Sequence, residues 1–109
     1  MKAKFVALGL VTAMSCVSAS AVLVRGAVPC GEWVKQRTEN SNGWPALANT
    51  AWFIGYMSGK ATTSGVDVLK DTNSESLRLW VDNYCRANPL KDLDDASDAL
   101  FIELSKKPR

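Results

Sequence analysis

Three groups of side chains in this 109-residue chain have types and spacings that could do chemistry. The first is a row of carboxylates, Asp92, Asp94, Asp95 and Asp98, with Glu103 beyond. Read as a calcium loop, Asp92, Asp94 and Glu103 would stand at the first, third and twelfth ligand positions. The central glycine of such a loop is missing, however, and an apolar helical period runs on through the segment. Acidic residues in a helix's first turn follow from the helix dipole, and that is the expectation here; no metal site is read from them. The second group is Arg78, Asp82 and Arg86 at i, i+4, i+8, where Asp82 can bridge two arginines on the exposed edge of a helix. These are candidate acid-sensitive pairs, each worth about a few tenths of a kcal/mol in water. The third is Cys30 and Cys85. A redox pair would call for a CxxC spacing that is absent, and half of a metal site is disfavoured in a chain with no histidine.

Conventional catalysis has little to work with. Without histidine, and with both of these cysteines expected to be bonded, the usual nucleophile and base pairs are missing. The remaining carboxylates stand in no recognisable loop constellation for acid–base work. The reading is a non-enzymatic protein with no cofactor.

The elements that must position these residues begin with a leader. Lys2 and Lys4 precede an apolar run from Phe5 to Val17, and Ala19-Ser20-Ala21 offers the small residues that signal peptidase requires. Residues 1–21 are therefore read as a cleaved signal peptide, and 22–109 as a single helical domain. The apolar run is shorter than the roughly 20 residues of a bilayer span, so no stable membrane anchor is expected. Lipidation at Cys16 is disfavoured, because Ala13 and Met14 make a poor lipobox. Export, to the periplasm, makes a Cys30–Cys85 disulfide the default pairing. Removing Lys2 and Lys4 leaves eleven basic against eleven acidic residues, and no basic stripe with interleaved aromatics remains to attract nucleic acid.

Four helices can be placed. Glu32 to Arg37 forms a short first one, with Trp33 and Val34 toward the core. Asn42-Gly43 is a turn, and Trp44-Pro45 opens a second, very apolar helix that ends near Gly59. Here Trp52, Gly55, Tyr56 and Gly59 are read as helix-packing core, the two glycines admitting a close neighbour and Gly59 doubling as the cap. Lys60 to Thr72 reads as a loop with one helical turn, pinned by Val66, Val68 and Leu69 and accessible to a partner. The third helix follows Asn73 or Ser74 as cap and buries Leu77, Trp80, Val81 and Tyr84, stopping at Asn88-Pro89. The fourth runs from Leu90 to Lys106, capped by Asp92, with Leu93 and Leu100 in the core. Of the tryptophans Trp33, Trp44, Trp52 and Trp80, most should be structural, with Trp44 the candidate for an exposed binding anchor. A homodimer could bury the same tryptophans. The fold class expected is all-α: a compact four-helix domain with one disulfide after a cleaved N-terminal signal peptide.

Cys30 heading one helix, an apolar helix bearing Gly55, and Cys85 shortly before Asn88-Pro89 give a layout that resembles the HdeA/HdeB family of small periplasmic helical proteins. That resemblance spans Cys30 to Glu103. It implies one disulfide, no catalytic residues, and binding of acid-unfolded client proteins as a stress chaperone. The segment Gly55-Tyr56-Met57-Ser58-Gly59, followed by a later helix ending in proline, is also similar to periplasmic immunity proteins of type VI secretion, of the Rap/Tai kind. This second likeness implies tight binding of one toxin, through the 60–72 segment and neighbouring helix ends.

Overall fold

The computed structural model describes Gly9 and residues 22–107, so the signal peptide expected over residues 1–21, Gly9 apart, and its expected cleavage site lie outside the described residues. Four helices make up the fold: α1 (Cys30–Asn40), α2 (Trp44–Ser64), α3 (Ser74–Ala87) and α4 (Leu93–Ser105). Among the described residues there is no strand, only an isolated antiparallel bridge between Pro29 and Asp92. None of these helices is long and apolar enough to cross a membrane.

Packing pairs α1 with α3 and α2 with α4, while α3 against α4 and α1 against α2 close the bundle. Its core holds Trp33 from α1, Phe53 and Met57 from α2, Leu77 and Val81 from α3, and Leu93, Ala96, Leu100 and Leu104 from α4. The Cys30–Cys85 disulfide sits fully buried beside them, tying α1 to α3 at a Cα separation of 4.8 Å across 55 residues of chain. The lead segment is stitched to the α3–α4 connection, with Cys30 N–H donating to the Lys91 carbonyl (2.8 Å) and Leu93 N–H to that of Val28 (2.9 Å).

The third and fourth helices begin where their caps dictate. The Asn73 side chain accepts from Ser76 N–H at 2.8 Å, and Asp92 and Asp95 form a reciprocal capping box at the start of α4. Pro45 stands in the first turn of α2, where its missing N–H costs nothing.

The far end of α2 departs from expectation. The helix runs five residues past Gly59 and stops at Gly65, which takes the left-handed conformation (φ 72°) and returns its N–H to the Ala61 carbonyl. The buried spacing explains the extension, because Phe53, Met57 and Ala61 recur every fourth residue on the face that meets the core. Gly55 and Gly59 lie on the opposite side. Both are exposed, and a Cβ at either would meet nothing within 4 Å, so neither admits a packed neighbour and neither belongs to the core. Trp52, Tyr56, Trp80 and Tyr84 are intermediate cases, half-buried against the core edge in two near-parallel stacks, Trp52 on Tyr56 and Trp80 on Tyr84, at 5.1 and 5.6 Å. What remains of the connection, Gly65 to Asn73, is held by buried Val68 and half-buried Leu69, while Val66 faces solvent.

Candidate functional site

Two regions of the molecule carry side-chain arrangements beyond ordinary core packing. The first lies between α1 and α3. Because the disulfide brings these helices together antiparallel, Trp33 and Arg37, one turn apart on α1, face Asp82 on α3. The Asp82 carboxylate accepts from the Trp33 indole N–H at 2.7 Å and from Arg37 Nε and Nη2 at 2.9 and 2.8 Å. Arg37 and Asp82 are both more than nine-tenths buried at the side chain. The hydrogen bonds that Arg37 donates to Asp82 are the largest influence holding its guanidinium above its ordinary pKa, against the opposing effect of burial.

This arrangement corrects the sequence expectation for Arg78, Asp82 and Arg86. Asp82 is buried, not at a solvated edge, and its partner is Arg37, 45 residues away, instead of either neighbour on its own helix. Arg78 is also buried; its guanidinium donates to the Ser41 carbonyl and, at 3.4 Å, to Glu75, while its Nε has no partner. Arg86 is exposed and reaches only Asn83. Glu75, itself 72% exposed, spans Arg37 and Arg78 at 3.3 and 3.4 Å and closes the cluster toward solvent. Sequence spacing could not show Asp82 facing Arg37, although the disulfide offered a route. With Cys30 opposite Cys85, an antiparallel register sets Trp33 opposite Asp82, and Arg37 reaches it from one turn away.

The second region is the outer side of α2. Its one charged residue is Lys60, which pairs with Asp98 of α4 at 3.0 Å, above the rings of Tyr56 and Phe101. Tyr56 donates to the same Asp98 at 2.8 Å, and burial, then the hydrogen bond and the charge of Asp98, push its pKa upward, so it stays a neutral donor. Between α2 and α4 runs an open, mainly apolar groove of about 570 Å³, lined by Gly55, Tyr56, Gly59, Lys60, Thr63 and Ser64 of α2 and by Phe101 of α4. At the other end of the helix Trp44 stands 80% exposed, next to Leu47, which is also exposed.

The carboxylates Asp92, Asp94 and Asp95 do gather, their oxygens within 4.8 Å of one another. Asp92 and Asp95 are engaged in the capping box, and α4 continues without a break to Ser105, so no twelve-residue loop exists to carry Glu103 to the same point. Burial and the neighbouring charges of Asp95 and Asp92 raise the pKa of Asp94. Compared with known proteins, the chain matches no family model, no curated protein and no solved structure, so its likeness to the HdeA/HdeB and type VI immunity families rests on the residues quoted above.

Proposed function

We propose that this chain is an exported, non-enzymatic protein-binding domain of the periplasm whose binding is switched on by acid, as in a stress chaperone. The observation that carries this reading is the buried Arg37–Asp82 pair. The pair exists only while Asp82 is ionised. Protonating it strands the Arg37 guanidinium in the interior, and breaking one side of a buried pair costs about 3–5 kcal/mol. That is a large share of the roughly 5–15 kcal/mol by which a small domain is stable. Glu75 is the other acidic group against Arg37 and also bridges to Arg78, so the same small set of carboxylates serves both guanidinium groups. Eleven carboxylates neutralised together give the chain a large positive charge that swells it further. The disulfide keeps α1 beside α3, so the opened chain offers apolar surface without unravelling.

The test follows light scattering from an acid-sensitive client at about pH 2–3, with tryptophan emission recorded in parallel. Suppressed scattering with a red-shifted spectrum supports the reading, since Trp33 reports directly on Asp82. A native-like spectrum with no suppression overturns it. A second reading, neutralisation of one secreted toxin, draws support from the exposed segment between α2 and α3, where Val66 projects and Asp71 holds a left-handed backbone (φ 61°). It expects a stable neutral-pH complex with a toxin of a type VI system, abolished by Val66→Glu; failure of that complex to form removes it.

A further inference from the structure

We infer that Arg37 and Arg78 form an oxyanion site across α1 and α3, suited to a phosphate group and occupied in its absence by Glu75. The register that sets Cys30 against Cys85 and Trp33 against Asp82 also brings Arg78 opposite Arg37, so two guanidinium groups meet near the end of α1 and the start of α3. Buried charges need partners. Both side chains are more than nine-tenths buried, and the one buried carboxylate beside them, Asp82, is taken up by Arg37. One positive charge is left over.

Glu75 covers that charge poorly. Each of its oxygens reaches one guanidinium, at 3.3 and 3.4 Å, beyond the roughly 2.7–2.9 Å of a well-made charge-assisted hydrogen bond. Its side chain is 72% exposed, and an ion pair with one partner in water contributes little. The two cations are fixed without it. Asp82 grips Arg37 through Nε and Nη2, and Arg78 donates Nη2 to the Ser41 carbonyl at the end of α1. Arg78 is nonetheless short of acceptors, since its buried Nε has no partner among the described residues. Two rigid cations behind one exposed, loosely held anion make a site that can exchange its occupant.

The ligand follows from what must displace Glu75. A single carboxylate from outside only reproduces the existing contact, and it competes with a tethered group whose effective concentration is about millimolar. A phosphate group brings about 1.5 to 2 negative charges near neutral pH and three acceptor oxygens, enough to bridge both guanidinium groups. Arginine's planar fork matches those oxygens. Because Glu75 stands in the first turn of α3, an anion in its place also meets the positive end of the helix dipole. The chemistry recognised is a terminal phosphate, free or on an ester. This site works with Asp82 ionised, so it is independent of any acid response.

The experiment uses the oxidised chain, expressed with its leader and titrated at about pH 8, where phosphate is doubly charged. Inorganic phosphate, phenyl phosphate and acetate are the probes. Binding is followed by calorimetry and by the Trp33 indole resonance, which senses Arg37 through Asp82. Glu75→Ala should bind phosphate at least about tenfold more tightly than wild type and still ignore acetate. Tighter binding of phenyl phosphate assigns the site to an esterified group; equal or weaker binding assigns it to the free anion. Arg78→Lys keeps the charge but loses the fork, and in the Glu75→Ala background it should weaken phosphate by about tenfold or more with helix content unchanged. A Glu75→Ala chain that ignores both phosphates overturns the inference. So does phosphate binding that leaves the Trp33 resonance unmoved, which would place the anion elsewhere whether or not the Arg78 variant folds.

Discussion

Asp82 is the residue on which the most depends. Replacing it with Asn keeps the shape but leaves Arg37 without its counter-charge, and the expected loss is about 3 kcal/mol in urea unfolding at neutral pH. Removing both partners, as Arg37→Met with Asp82→Leu, should cost less than the sum of the single changes, which a double-mutant cycle reads directly. Asp94 is a separate case. Its pKa is raised in the folded state, by burial first and by Asp95 and Asp92 after it, so the fold binds this proton more readily than the unfolded chain does. The stability associated with Asp94 therefore rises as pH falls through its range and is diminished above it. Asp94→Asn should stabilise the protein at neutral pH by up to about 0.5 kcal/mol and flatten that part of the pH profile. Neither residue's role was visible from spacing. The i, i+4 pattern around Asp82 pointed to helix neighbours, and only a tertiary contact over 45 residues supplied the real partner.

Helix boundaries were readable wherever a side chain imposed them. Asn73 and Asp92 act as caps because their oxygens satisfy amides that the first turn cannot, and Asn88-Pro89 stops α3 as the proline rule requires. The end of α2 was misread because two glycines stood before the one that matters. A glycine ends a helix only where the chain turns left-handed, and Gly65 does so while Gly55 and Gly59 keep helical geometry. Gly65→Ala should therefore cost about 1–2 kcal/mol. Gly55→Ala and Gly59→Ala should each add about 0.5–1 kcal/mol, since their Cβ atoms meet open space. Urea melts of the three variants separate these signs. Stabilisation by both alanines there would also rule out a close helix neighbour within the monomer.

The architecture as a whole was the most legible level. Four amphipathic segments, short connections and two cysteines in the helical domain point to a disulfide-stapled helical bundle, and the bundle follows from burying one face of each. What the periodicity could not supply was the orientation of α2, whose low charge made every side look equally suited to the interior. Closing a 55-residue span contributes about 4 kcal/mol in the chain-entropy model. Reduction, or the Cys30→Ala and Cys85→Ala pair, should lower unfolding stability by about that amount and make the acid transition begin at higher pH.

The stitching of Val28 and Cys30 to Lys91 and Leu93 sets the order in which this molecule can come into being. A chain emerging from its N-terminus, whether from a ribosome or a translocation pore, presents α1 first. The charge, the thiol and the backbone partners that fix α1 and its lead arrive more than forty residues later: Asp82 for Arg37, Cys85 for Cys30, and the α4 entry for the lead segment. The ion pair and the disulfide that fix α1 therefore close only with the last third of the sequence. Until then the first half, rich in tryptophan and nearly uncharged along α2, travels as an open chain that other proteins must keep from sticking.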